Sequence, residues 1–385
     1  MMLKKTILKY YQQTLVEFSG RRRVLSALKQ NLDYQAPHIV VIGKSADAML
    51  TGALDILVPV FKSALIITKV NQFNPIIKNN SKITLLIAAH PTPDQSSLNA
   101  GVALITYLQN LSLNEKVLFL ISGGTSSLVE VLIAGQTLDL LQQQTNKMLA
   151  DGSDIFKINQ YRKQVSKIKG GGLWHYLENR PVACLLISDV ENNNPQTIGS
   201  GLLFDNQQSY LKRINFLWKI IATNSLFLEK MALKAEKAGF KVQISAVFLN
   251  MQTASASEIC LNTLRKYPNK LHFWGAEITV VLPKNQGKGG RNQHLALTMA
   301  LNIKADEDIF LWVIATDGED GLTQKAGAFI DSNLINNENR PSALLALEKA
   351  DSYTFLKQHQ ALITTPNTGT NIMDVVMGIK IPNPI

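Results

Sequence analysis

Along the chain, short runs of β-branched and apolar residues alternate with stretches of helical periodicity. His38–Ile42 leads through Gly43-Lys44-Ser45 into the helix-like Ala46–Leu57. Ile83–Ala88 leads through His90-Pro91-Thr92-Pro93-Asp94 into Ser97–Leu108. Val117–Ile121 runs into Ser122-Gly123-Gly124-Thr125-Ser126-Ser127, and Val182–Ile187 into Ser188-Asp189-Val190. Strands alternating with helices predict a largely parallel sheet covered on both faces. In such sheets ligands bind beyond the C-terminal strand ends, which is where these polar stretches fall.

A polar patch, Asp205-Asn206-Gln207-Gln208-Ser209, suits a linker, and a second section is expected to begin between residues 205 and 222. The division is placed at 1–215 and 216–385. The second section reads as helix Ser225–Ala238, strand Lys241–Val247, helix Ala256–Arg265 and strand Glu277–Leu282. The loop Pro283–Asn292, helix Gln293–Leu301, strand Ile309–Ala315 and a last strand at Val375–Ile379 follow. The alternation at Glu277–Leu282 predicts a mixed sheet.

Composition narrows the classes. The 385 residues are 46% hydrophobic and 18% charged, the balance of a globular chain with ample core. Lys plus Arg is 39 against 29 for Asp plus Glu, a net charge of +10 that suits an anionic partner without choosing one. Cys184 and Cys260, far apart, offer neither zinc spacing nor a disulfide framework, which fits a reducing cytosol and a cytoplasmic location. The opening MMLKKTILKYYQQTLVEF reads as an amphipathic helix, and no apolar run reaches membrane-spanning length.

Ser122–Ser127 is the richest phosphate-type loop. Its two glycines permit a tight turn, and its N–H and hydroxyl groups can face an anion at a helix start. The plain alternative is a Ser-capped turn. Lys44 stands where a strand becomes a helix, either as a point charge for phosphate or as a solvated lysine. Gly287-Lys288-Gly289-Gly290-Arg291-Asn292-Gln293 opens a helix with two cations, and Arg291 suits a bidentate anion contact. Asp189 and the acidic stretch Thr316-Asp317-Gly318-Glu319-Asp320-Gly321 sit at strand ends, as Mg²⁺ carboxylates or as turn and cap residues. Arg162, Lys163, Lys167 and Lys169, with Arg21-Arg22-Arg23, raise nucleic acid as a partner. No recognition-fold signature or aromatic platform supports that reading.

In order, these stretches resemble the glycerate 2-kinase family, whose C-terminal part is called MOFRL and whose members often carry the older label hydroxypyruvate reductase. The resemblance rests on Val41-Ile42-Gly43-Lys44, His90–Asp94, Ser122–Ser127, Asn159 with Arg162-Lys163, and Lys169–Gly172. It continues through Ser188–Val190, Gly289–Gln293, Thr316–Gly318, Asp351–Tyr353 and Thr368–Asn371. It implies an α/β chain with a Rossmann-like N-terminal domain and a smaller MOFRL-type α/β domain with a mixed sheet. It implies ATP and Mg²⁺ as cofactors and D-glycerate as substrate, in a monomer or homodimer, with no nucleic-acid or membrane partner.

By the same resemblance Lys44, Arg291 and Asp189 are catalytic, and the two cations meet across a cleft between domains. Asp189 and Asp317 are the metal carboxylates, with their division of labour open. Gly43, Ser45, His90, Asp94, Ser122, Gly123, Gly124, Thr125, Ser126, Arg162, Lys169, Gly289, Gly290, Asn292, Thr370 and Asn371 line the substrate and ATP sites. The chain departs from the family pattern at Ser200-Gly201-Leu202-Leu203, at His294, at Gly275-Ala276-Glu277-Ile278 and at Asn159-Gln160-Tyr161. The rivals are an NAD(P)H-dependent hydroxypyruvate reductase, which would want Gly-x-Gly-x-x-Gly after the first strand, and a non-catalytic ATP or sugar-acid binder.

Overall fold

The computed structural model describes residues 2–69, 74–151, 155–366 and 368–382. Two compact units emerge. One comprises Phe18–Thr223 with Gly369–Asn371, and the other Met1–Glu17, Asn224–Thr368 and Ile372–Ile385.

The first unit carries six strands: β1 His38–Ile42, β2 Ser63–Thr68, β3 Ile83–Ile87, β4 Val117–Ile121, β5 Val182–Ile187 and β6 Phe216–Ala222. They pair in the order β3-β2-β1-β4-β5-β6, every pair parallel. Strands β1, β4 and β5 are buried along their whole length. A strand covered on both faces has no solvent side, so its sequence is uniformly apolar rather than alternating. Val40, Ile42, Phe119, Ile121, Cys184 and Leu186 join one core with Leu104 and Leu108 of the helix Gln95–Gln109. The order reverses direction between β1 and β4, so the chain leaves these neighbouring strands toward opposite sides and opens a crevice at their C-terminal ends.

The second unit holds β7 Lys241–Ile244, β8 Lys270–Ala276, β9 Asp308–Ala315, β10 Gly327–Asp331, β11 Leu362–Ile363 and β12 Asp374–Ile381, ordered β11-β10-β9-β12-β8-β7. Among these described strands only β7 and β8 pair in parallel, so the sheet is mixed, as expected. The helices Thr253–Lys266 and Arg291–Asn302 supply Cys260, Leu264, Leu295 and Met299 to the core against Trp274, Val313 and Val376.

Two expectations shift. The strand lies at Lys270–Ala276, not Glu277–Leu282, where the described chain makes only the isolated bridge Gln252–Thr279. The alternating side chains there are real, but β12 ends its pairing with β8 at Ala276. Beyond it the chain is held by Glu277 N donating to Leu249 O at 3.1 Å and Thr279 N to Met251 O at 3.0 Å, contacts too few to make a strand. The division also falls after Thr223 rather than residue 215. Phe216–Ala222 pairs with β5 from Val182↔Phe216 onward and so completes the first sheet.

The opening helix, Met2–Phe18, belongs mostly with the second unit. Buried Tyr11 donates to Ala315 O at 3.3 Å and packs edge-on to Phe227 at 5.6 Å. Glu17 accepts from Lys234 at 2.7 Å. Its amphipathic stripe therefore covers a core contributed by distant residues. Among the described residues, no helix is long and apolar enough to cross a membrane.

Candidate active site

At the β1–β4 crevice, two turns interlock. Gly43 follows β1 at φ 132°, a backbone that L side chains rarely adopt, and a Cβ there would collide with Ser122. Lys44 N donates to Gly123 O at 2.9 Å, and Ser45 N donates to the Ser122 hydroxyl at 3.1 Å. The Thr125 hydroxyl donates to Ile42 O at 3.0 Å and Ser122 O at 2.8 Å. The hydroxyls of Ser122 and Thr125 thus tie the β1 and β4 turns together, and both are buried.

Around that tie the expected residues gather. A Cβ on Gly123 would collide with the Asp189 carboxylate and the Asn371 side-chain amide. One on Gly124, at φ 87°, would lie 3.2 Å from the Lys44 Cγ and 3.1 Å from the His90 ring. Lys44, His90, Asp189 and Asn371 therefore converge on the two glycines from the ends of β1, β3 and β5 and from the returning segment Gly369–Asn371. That segment is held by Gly20 N donating to Gly369 O at 2.8 Å, and its Thr370 is buried. Ser126 and Ser200 hydroxyls lie 2.7 Å apart beside this group. Gly123→Ala should push Asp189 aside and cost about 1–3 kcal/mol. Urea unfolding of the variant checks this, and an unchanged midpoint would contradict the close approach.

Two expected binding residues, Asp94 and Lys169, have partners within the chain. Asp94 caps the helix Gln95–Gln109, accepting from Ser96 N at 2.7 Å while Ser97 accepts from Asp94 N at 3.2 Å. The hydrogen bonds from Ser96 hold its carboxyl below the usual range. Lys169 is buried and paired with fully buried Glu130. Burial lowers its pKa, Glu130 opposes this, and nearby Arg162 adds to the lowering. Arg162 is itself held down by burial, with Glu130 opposing. Lys169 thus points its charge at a buried carboxylate. Of the arginine triplet, Arg21 forms a two-pronged pair with Asp55 at 2.8 and 3.0 Å.

In the second unit Arg291 begins the helix Arg291–Asn302. Its NH1 donates to Glu277, and its Nε lies 2.7 Å from Asp374 Oδ2. Burial works against the arginine's charge, but Asp374 and Glu277 outweigh it and raise the pKa. Burial also pushes the Asp374 carboxyl up, with the guanidinium opposing. Asp320 accepts from Asn292 N at 3.0 Å, Gln293 N at 2.8 Å and the Asn292 amide at 3.3 Å. It therefore caps the helix by satisfying its first free N–H groups. Burial raises its pKa to about 6 against the pull of those N–H donors.

The glycines before this helix serve close packing. A Cβ on Gly290 would collide with Asp320, and one on Gly289 would lie 2.5 Å from the Ser352 hydroxyl. A cavity of about 450 Å³ lies beside them, lined by Gly287, Lys288, Gly289, Leu322 and Tyr353 among others. Asp317 forms a turn, accepting from Glu319 N at 3.2 Å. Sequence reasoning missed Glu130 and Asp374 altogether and took Glu277 as a strand start and a departure from the family pattern, with no role at the site. Asp374 lies opposite Ala276 and Ala315 in the β12 ladders, which brings it beside Glu277.

Residues 5–228 match the family described as Domain of unknown function (DUF4147), and residues 270–374 match the MOFRL family. The chain is 28% identical to a D-glycerate 2-kinase of Thermotoga maritima, over 98% of both chains. It is 29% identical to a glycerate 2-kinase of Pyrococcus horikoshii, over 89% of this chain and 87% of that one. A crystal structure of a Thermotoga maritima glycerate kinase superposes with a TM-score of 0.85 at 26% identity, covering 99% of this chain and all of that one.

Proposed function

We propose, from the premise that the chain belongs to the DUF4147–MOFRL glycerate 2-kinase family, that it phosphorylates D-glycerate at its C2 hydroxyl with ATP. The hydroxyl oxygen bonds to the γ-phosphorus, the bond from that phosphorus to the β-phosphate oxygen breaks with its electron pair passing to ADP, and the hydroxyl proton is released to water. The products are 2-phosphoglycerate and ADP. Such a transfer asks the protein for positioning and charge stabilisation more than for covalent chemistry. The observation that carries the reading is the convergence of Lys44, His90, Asp189 and Asn371 on Gly123 and Gly124 at the sheet's reversal point.

Each group has a role that follows from its chemistry. Lys44 supplies a compact positive charge for phosphate oxygens. The bare backbone at Gly123 and Gly124 admits an anion closely. Arg291 offers a planar fork suited to phosphate or carboxylate. Among the described residues, no group of three or more His, Cys, Asp or Glu is placed to hold a metal by itself. Mg²⁺ brought on a nucleotide needs only one or two protein carboxylates. Asp189, set against the glycine where a side chain would otherwise stand, fits that need. When bound, the ion would neutralise charge on the phosphates. The single-lysine turn after β1 differs from the Gly-x-Gly-x-x-Gly turn that a dinucleotide-dependent reductase would want.

The test is ADP release from Mg·ATP on adding D-glycerate, with the phosphorylated position read by ³¹P–¹H NMR. Phosphate on C2 is expected. No turnover with D-glycerate or close hydroxy acids would sink the proposal, and so would NADH oxidation with hydroxypyruvate as the sole activity.

A further inference from the structure

The environment of Arg291 is lopsided. Its guanidinium, 37% exposed, touches two carboxylates of opposite character. Asp374 is 2% exposed and stands at Nε, while Glu277 is 40% exposed and receives the NH1 hydrogen bond. A buried ion pair is strongly held, because losing one partner strands the other charge in a poor solvent. An exposed pair is worth little and exchanges readily. The backbone beneath is pinned as well. Asp320 holds the first turn of the helix through Asn292 N and Gln293 N, and Gln293 reaches Thr323 at 2.7 Å.

From this we infer that Asp374 is the positioning residue for Arg291 and that Glu277 is its exchangeable partner. This rests on the reading that Arg291 serves phosphoryl transfer. An anion taking the terminal edge of the fork, through its two terminal nitrogens, must displace Glu277 from NH1. It need not disturb Asp374 at Nε. Glu277 thus keeps the fork paired while no anion is bound and competes with the anion for it. Asp374 fixes the direction in which the fork points, whether or not Glu277 has been displaced. The two carboxylates share one arginine but should differ in every consequence of their removal.

The test uses the full chain with Asp374→Asn, Glu277→Gln and, to assign the signal, Arg291→Lys. Three quantities are read: kcat and KM with ATP, pyrophosphate affinity by calorimetry, and exchange of the Arg291 Nε–H proton with water by NMR. Asp374→Asn should lower kcat ~10–100-fold, the scale of a misdirected catalytic group, and speed the exchange. Glu277→Gln should tighten pyrophosphate at least ~3-fold and leave the exchange slow, because its contact is at NH1 and not at Nε. In the unaltered protein, exchange should stay slow when pyrophosphate is added.

An Asp374→Asn variant with unchanged kcat and Nε–H exchange, or a Glu277→Gln variant with weaker pyrophosphate binding, would overturn the assignment. If Asp374→Asn does not fold, the Nε–H exchange of the unaltered protein decides: slow with and without pyrophosphate supports the assignment, and fast in either state overturns it. Should the protein phosphorylate no hydroxy acid, the pyrophosphate and exchange measurements still judge this inference on its own. Active enzyme with a fast-exchanging Arg291 Nε–H would defeat the inference and leave the kinase proposal standing.

Discussion

Lys44→Ala is expected to lower kcat/KM for Mg·ATP and D-glycerate by at least ~100-fold, and Arg291→Ala by a similar factor. For Lys44 the argument is geometric before it is electrostatic. Its amide is fixed by Gly123 O, its neighbour Ser45 by the Ser122 hydroxyl, and its side-chain stem passes Gly124. The ammonium is therefore delivered from a rigid turn, so its loss is not easily made good by another lysine. Truncation removes charge from the transition state, where it counts most, and ~100-fold corresponds to about 2.7 kcal/mol. Lys44→Arg should recover little, because a branched planar head does not replace a compact charge in a tight turn. Steady-state kinetics decide the matter. Rates within ~3-fold of wild type for Lys44→Ala would refute the assigned role.

Glu130→Ala is expected to be the most destabilising single change, by about 3–5 kcal/mol. Glu130 and Lys169 side chains are both 0% exposed, so neither has water to fall back on. The carboxylate also accepts from Val131 N at 3.0 Å and lies close enough to Arg162 to affect its charge. Removing it leaves Lys169 beside Arg162 with no compensating charge. Lys169 can shed its proton, as its lowered pKa indicates, which keeps the loss finite. The companion variant Glu130→Leu with Lys169→Met removes both charges and should be much closer to wild type. Chemical denaturation of the two variants separates the explanations. Equal losses in both would mean that packing, rather than the stranded charge, sets the cost.

These two cations show how the net charge of +10 is distributed. Both Lys169 and Arg291 stand beside glycines in the sequence, and the family resemblance places both at the anion site. Folding separates them. Lys169 meets Glu130 inside the first unit with neither side chain exposed, whereas Arg291 keeps more than a third of its side chain exposed between its two carboxylates. Asp94 and Asp320 show the same ambiguity for acids. Each lies near a strand end in a polar stretch, and each caps a helix.

Much of the first unit was legible before any coordinates. Apolar runs as short as Val117–Ile121, rich in β-branched and large apolar residues and followed by glycine-rich turns, read as strands buried on both faces, and the turns mark the C-terminal edge of a parallel sheet. Lys44, Ser122–Thr125 and Asp189 follow from that reading alone, because each sits within a few residues of a strand end. Local periodicity decides these things since a strand's burial is written in its own residues. What only the tertiary structure decided is pairing over long separations. The Glu277–Arg291–Asp374 group exists because β12 runs antiparallel to β8 with Asp374 opposite Ala276, and the Glu130–Lys169 pair because two distant turns close on one another. The allotment of the opening helix to the second unit is of the same kind. Strand register and helix docking are set by the summed fit of whole surfaces, which no short stretch of sequence carries.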